Sequence, residues 1–244
     1  MIESLFDLKK WEVLFQHFDM FAEGLWMTAK VALIGLVVAL LLGIIFGMMS
    51  MTKTKVLQVI SRIYVEFFQN TPLVVQVFFY YNGLPKVLQA LMGTARPVRL
   101  SKMLLGVLGV GLYHGAYIAE VIRTGIEAVP KGQHESAQSQ GFTRLQTMRY
   151  IILPQTLKVI MPPLANQALN LVKNTSVLAM VAGLDLMYRA DSFVSQYMTL
   201  NGYVLCAGLY FIICFPIAML ARYFEKKVKR TPVPKKRKSN MEVA

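Results

Sequence analysis

One largely apolar stretch, MPPLANQALNLVKNTSVLAMVAGLDL, includes an ammonium, four amides and two hydroxyls: Asn166, Gln167, Asn170, Lys173, Asn174, Thr175 and Ser176. On a helix, Asn166, Asn170, Lys173 and Asn174 follow i, i+4, i+7, i+8 spacing and share one stripe. A lysine at the centre of a bilayer costs at least about 2.5–3.5 kcal/mol, so it faces protein, water or a ligand rather than lipid. A row of amides around one ammonium suits a polar solute. It equally suits a hydrogen-bonded seam between helices, and the residues alone leave both open. No carboxylate accompanies the stripe, which argues against a carrier energised by protons or sodium.

A second apolar stretch, FFQNTPLVVQVFFYY, is interrupted in the same manner by Gln69, Asn70, Thr71, Pro72 and Gln76. Proline removes a backbone donor and opens the preceding helical turn. Freed carbonyls at membrane depth are tolerated where they are buried in protein or line a wet cavity. Asn70, Thr71 and Gln76 thus read as lining a path or gate, or as satisfying a kink locally. The third polar segment, Val129–Gln155, is different in kind: VPKGQHESAQSQGFTRLQTMRYIILPQ is soluble-looking sequence set between apolar runs. Pro130 and Gly132 mark a turn, and residues from Gln133 to Gln140 are helix-compatible. Gly141 interrupts, Thr143 is placed to cap a second helix, and Leu153-Pro154 reads as a hard stop. Glu135, near the expected helix start, suits the helix dipole and offers a carboxylate that a partner's arginine could grip.

The elements that hold these segments are expected to be membrane spans. The chain is 55% hydrophobic, 16% charged and has a mean hydropathy of +0.48, which places it with membrane proteins. Val31–Met51 contains no charge and reaches roughly 30 Å as a helix, a full hydrocarbon thickness. It is too long and too far from the start for a cleaved leader, and no small-residue cleavage site follows. Five spans are expected: roughly Leu25–Met51, Val65–Leu84, Met103–Val121, a fourth from Pro154 towards Leu186, and Tyr203–Ala221. Ahead of them, Leu5, Phe6, Leu8, Trp11, Leu14, Phe15, Phe18 and Phe21 have the spacing of an amphipathic helix at the interface. Gly43 with Gly47, and Gly111 with Gly115, allow close helix contact.

The net charge of +13 is not a nucleic-acid signature, because nine basic residues fall in Arg222–Lys238, directly after the last apolar run. That is the pattern of a cytoplasmic tail, open also to contact with anionic lipid. Counting basic residues through the loops sets the C-terminus inside, the N-terminus outside and Val129–Gln155 inside. Chemistry of other kinds is missing. His17, His114 and His134 have no metal-ligand spacing. Cys206 and Cys214 sit about 12 Å apart along one expected helix, too far to bridge. Glu120 and Arg123 are one turn apart and pair locally. There is no P-loop, no nucleophile with its base, and no residue set for a cofactor. Driven transport would need its energy from another subunit.

Glu135, Ser136, Ala137, Gly141, Ile151, Leu153 and Pro154 resemble the EAA loop of binding-protein-dependent ABC importer permeases. NTPLVVQVFF (Asn70–Phe79), AYIAEVIRTGIEAVPKGQ (Ala116–Gln133) and LPQTLKVIMPPLANQALNLVKNTS (Leu153–Ser176) are similar to its polar amino acid branch, the histidine, glutamate, glutamine and arginine type. Ser136 departs from the usual Ala, and Gln69 from a common basic residue. The resemblance implies an all-α, five-span type I (MetI-like) permease fold with a cytoplasmic EAA coupling loop. It divides the chain into a lead-in (1–24), a permease domain (25–222, loop about 129–155) and a basic tail (223–244).

The implied partners are two cytoplasmic ATP-binding subunits, a second permease subunit (identical or not), an extracytoplasmic solute-binding protein, an amino acid and membrane lipid. ATPase docking falls on Glu135, Ser136, Ala137 and Gly141. The substrate path falls on Asn70, Thr71, Gln76, Asn170, Lys173, Asn174, Thr175 and Ser176. The Lys-Asn-Thr form is more similar to glutamine, glutamate or aspartate systems, since relatives that take cationic amino acids often have Asp at position 174. An importer for arginine, histidine or cystine, and a secondary carrier, are the alternatives.

Overall fold

A computed structural model describes residues 5–181 and 183–229. The expected basic tail lies outside the described residues from position 230 onward. The helices run α1 (Leu8–Gln16), α2 (Phe18–Ser50), α3 (Lys55–Asn70), α4 (Leu73–Phe78), α5 (Leu84–Met92), α6 (Lys102–Glu127) and α7 (Lys131–Ser139). They continue through the single turn α8 (Arg144–Gln146), then α9 (Leu153–Asn174), α10 (Leu186–Tyr197) and α11 (Asn201–Lys229). Wider π turns at Phe79–Gly83 and Thr147–Ile152, and a tighter 3₁₀ segment at Thr175–Val181, join neighbouring elements.

Among the described residues, three continuous stretches are long and apolar enough to cross a membrane: Phe18–Ser50, Lys102–Glu127 and Asn201–Val228. The other two expected spans are segmented, because each carries the polar residues noted above. Sequence-based bounds also shift. Helix begins at Phe18 instead of Leu25, and the second span starts at Lys55 and breaks after Asn70.

The most extensive helix contact pairs α2 with α6. The buried face of α2 is a stripe of Gly24, Thr28, Val31, Ala32, Gly35, Ala39, Gly43 and Gly47. Small residues there let the two backbones approach closely. A Cβ at Gly43 would lie 2.6 Å from Ile118 Cβ, and one at Gly35 would lie 2.6 Å from Val110 Cγ2. Gly111 and Gly115 answer from α6, against Val38 and Leu42. The opposite face of α2 exposes Leu33, Val37, Leu41 and Ile44, as a lipid-facing surface should.

Around this pair, α9 packs between α6 and α11, and α3 is pinned by side chains. Ser61 donates to Phe46 O at 2.7 Å, Tyr64 to Leu112 O at 2.8 Å, and Gln69 to Ala116 O at 3.2 Å. A second core cluster gathers Leu14, Phe21, Leu186, Ala190, Phe193 and Cys206. The apolar face of the N-terminal segment therefore divides. Leu14 and Phe21 pack on α10 and α11, while Phe6, Leu8 and Phe15 stay exposed. His17 ends α1 with its ring taking a hydrogen bond from Tyr197 at 2.7 Å. Both cysteines are free.

Gly43→Leu should therefore cost about 1–3 kcal/mol through overpacking and lower the melting temperature in detergent by several degrees. Ile44→Leu, on the exposed face, should leave it unchanged. Equal melting of the two variants would show that α2 and α6 do not meet closely at this level.

Candidate functional site

Three groups of polar residues stand out from the apolar framework, and each forms at a helix end. At the first, Thr71 is extended (φ −109°, ψ 135°) ahead of Pro72, as a residue before proline prefers. The open carbonyls of α3 are then taken up by side chains. Asn70 donates to Glu66 O at 2.7 Å and Thr71 to Phe67 O at 2.8 Å. The buried Gln76 amide reaches back across the break to Phe68 O at 3.2 Å, Thr71 O at 3.1 Å and Thr71 Oγ1 at 2.6 Å. Asn70, Thr71 and Gln76 thus spend their donors on the break itself.

At the second, α9 tightens at Thr175 into the 3₁₀ segment. Thr175 is fully buried and donates to Val172 O at 2.8 Å; Ser176 donates to Lys173 O at 2.7 Å. The single stripe read from spacing divides. Asn170 and Lys173 are exposed, whereas half-buried Asn174 turns towards α6 and meets His114. Lys173 and Ser176 line a cavity of about 390 Å³ with Met187, Tyr203, Cys206, Ala207 and Tyr210. The two breaks also adjoin, since α4 packs on the 3₁₀ segment. Residues 70–76 and 173–176, a hundred positions apart in the chain, belong to one region.

Two residues of this region escaped the sequence reading. His114 is 1% exposed and touches both Gln167 and Asn174; among three scattered histidines, sequence gave no reason to single it out. Asp185 is fully buried and caps α10 by accepting from Met187 N at 3.1 Å. Its Oδ1 has no hydrogen-bond partner among the described residues. The Asp-Leu start of α10 was the available signal.

The third group is the Val129–Gln155 loop. Pro130 takes the N-cap and helix begins at once at Lys131, so Pro130 and Gly132 do not form the expected turn. Glu135 consequently lies beyond the first turn, and the dipole argument for it lapses. Glu135 and Ser136 are exposed, while Ala137 is 1% exposed. Gly141 ends α7 at φ +81°. Phe142 N–H donates to Ala137 O at 3.1 Å and Gly141 N–H to Gln138 O at 3.0 Å, the paired closure that favours glycine. Thr143 and Gln146 then form a reciprocal capping box.

Leu153-Pro154 is not a stop. The chain runs from α8 through the π turn Thr147–Ile152 directly into α9, with Pro154 in its first turn. Proline needs no N–H partner there, and the wider turn ahead of it gives the ring room. The loop thereby continues, without a flexible joint, into the helix that carries Lys173. Nearby, Arg123 pairs with Glu120 as expected and also grips Glu127 at 2.8 Å. With Ser61, Arg62 and Glu66 these charges line a cleft of about 550 Å³ between α2, α3 and α6. Among the described residues, no cluster of metal-binding side chains forms.

Comparison with known proteins places this geometry. The family model described as "Binding-protein-dependent transport system inner membrane component" matches residues 39–230. The probable glutamine ABC transporter permease protein GlnM of Bacillus subtilis (strain 168) is 40% identical, over 90% of this chain and 98% of its own. The putative glutamine transport system permease protein GlnP of Rickettsia typhi is 31% identical, over 84% and 91%. A crystal structure of an amino acid ABC transporter with histidines superposes with a TM-score of 0.78 at 30% identity, covering 88% of this chain and 97% of that one. An inward-facing structure of the MetNI methionine ABC transporter shares the fold, with a TM-score of 0.64 at 16% identity over 87% and 96%. The all-α architecture is thus the type I, MetI-like permease fold of a polytopic membrane protein. With the family model covering most of its length and relatives aligned almost end to end, the chain belongs to the inner-membrane components of binding-protein-dependent transport systems, the translocation subunits of ABC transporters.

Proposed function

We propose that the chain is one of two permease subunits of an ATP-driven amino acid importer, and that α7 is the piece gripped by a cytoplasmic ATPase. One observation carries this reading. Helix α7 turns Glu135 and Ser136 outward and Ala137 inward, on a frame fixed by the Gly141 closure. Leu145 is 77% and Tyr150 62% exposed beside it, an apolar rim around a carboxylate that suits a protein groove better than water. Because the loop continues into α9, a push on α7 has a rigid route to Lys173 and to the helix breaks. Alternating access is then a population shift between inward- and outward-open states, driven by closure of the ATPase pair.

The surplus of basic residues in the loop and after α11 supports a cytoplasmic C-terminus and an external N-terminus. A solute-binding protein would deliver from the outer side. The site would be met from that side at Asn170, Lys173, Asn174 and Ser176, with Asn70, Thr71, Gln76 and Thr175 holding the breaks that frame it. Exposed Lys173, with no acid in contact with it among the described residues, favours a carboxylate-bearing solute and disfavours a cationic side chain. Relatives named for glutamine point the same way, so glutamine, then glutamate or aspartate, is the preferred cargo.

Two measurements test this. Glu135→Arg in the assembled transporter should reduce solute-stimulated ATP hydrolysis at least about tenfold, as breaking a buried interfacial charge contact does, with complex assembly assayed alongside. Unchanged coupling would remove α7 as the transmission element. In competition for uptake into vesicles, glutamine and glutamate should outcompete arginine and histidine. The reverse order would overturn the cargo assignment.

A further inference from the structure

The start of α9 and the end of α11 flank a groove of about 270 Å³, away from the polar regions described above. Leu157, Lys158 and Met161 line it from α9, and Phe224, Lys227 and Val228 from α11. Each helix thus supplies an apolar pair at i, i+4 spacing with one lysine beside it. The apolar stretch of α11 that is long enough to cross a membrane ends at Val228, so the groove lies where that span leaves hydrocarbon. Leu153 and Val159 on α9, and Leu220 and Tyr223 on α11, are exposed around it. Lys158 is exposed and has no ion pair among the described residues. A lysine stem lies along apolar surface while its ammonium keeps to the water boundary. Charge in the neighbourhood is one-sided, since positions 222–229 carry four basic residues and one acid, Glu225. Two ammoniums beside four apolar side chains, at the edge of hydrocarbon, call for an anion attached to an apolar chain.

We propose that this groove binds one anionic phospholipid of the cytoplasmic leaflet, with its phosphate at Lys158 and Lys227 and an acyl chain along Leu157, Met161, Phe224 and Val228. The leaflet rests on the reading of the C-terminus as cytoplasmic; the lipid chemistry does not. Other occupants match less of the groove. Residues 230–244 carry five basic residues against Glu242 alone and would bring like charge to the two ammoniums. A soluble phosphate would pair with the lysines but leave the apolar walls in contact with water. A zwitterionic lipid brings its own cation to the same place. Basic residues near a membrane attract anionic lipid wherever they stand, and the groove turns that diffuse attraction into a place for one molecule. Bound there, the lipid tethers the end of α11 to the first turns of α9, the helix that receives the Val129–Gln155 loop.

The complete importer in detergent is titrated with phosphatidylglycerol or with phosphatidylcholine of the same acyl chains, and bound lipid is counted by native mass spectrometry. Phosphatidylglycerol should bind at least about tenfold more tightly than phosphatidylcholine. Lys158→Ala with Lys227→Ala should weaken it at least about tenfold, the scale of two basic residues at an anionic surface. Lys158→Arg with Lys227→Arg should restore binding to within about threefold of the parent, because the charge is kept. Arg222→Ala with Lys226→Ala removes the same charge from outside the groove lining and should also stay within about threefold. Lys158→Gln, a single exposed change, should weaken binding about fivefold and decides the matter if the alanine pair does not assemble.

Equal loss in the two alanine pairs would mean diffuse surface charge and no site. Displacement of phosphatidylglycerol by millimolar glycerol 3-phosphate would make the groove a site for soluble anions. Loss of a partner subunit from the Lys158→Ala, Lys227→Ala complex, with lipid binding unchanged, would make it a protein contact. Each of these results overturns the proposal.

Discussion

A peptide group inside hydrocarbon has no water to bond with, so a membrane protein can interrupt a helix only where other groups take over the freed donors and acceptors. This constraint organises the polar half of the molecule. Asn70, Thr71 and Gln76 close the carbonyls left open at Pro72. Thr175 and Ser176 do the same where α9 tightens. Residues that look like a solute path in the sequence thus serve, in part, to satisfy the helix breaks themselves. Only the groups not consumed in this way, Lys173 and Asn170 above all, remain to act on something else.

The breaks need a rigid partner, and the α2–α6 pair provides it. Its contact depends on missing side chains: every Cβ added at Gly35, Gly43 or Gly115 would collide with a β-branched neighbour, an aromatic hydroxyl or a packed leucine. Against this pair α3 is tied by Ser61, Tyr64 and Gln69, and α9 by the His114 bridge. Each tie is a side chain reaching across, because the helix backbones are already satisfied within themselves.

The loop that leaves this framework is stiff for local reasons. A glycine with positive φ closes α7, a capping box opens the next turn, and Pro154 is absorbed into a helix instead of ending one. Each device needs only neighbouring residues. Together they join α7 to α9 with a short capped turn and continuous helix.

Local pattern determined a good deal on its own. The break at Pro72, the Gly141 interruption, the Thr143 cap and the close-packing glycines could all be read directly, because each depends on residues within about one helical turn. Where sequence reading went astray, a second local option was available. Leu-Pro ends a helix or begins one, and Pro-x-Gly makes a turn or an N-terminus; the register of the flanking helices chose. What no local pattern contained was which side of α9 each polar residue would face. Asn174 and Lys173 are adjacent in sequence and both polar, yet one turns to a buried histidine sixty residues earlier and the other to an open cavity. That division follows from how α6 and α11 flank α9, a packing outcome fixed by glycines and side-chain volumes far away along the chain. For that reason the polar residues of these segments were legible in the sequence, and which side each one faces was decided only by the tertiary structure.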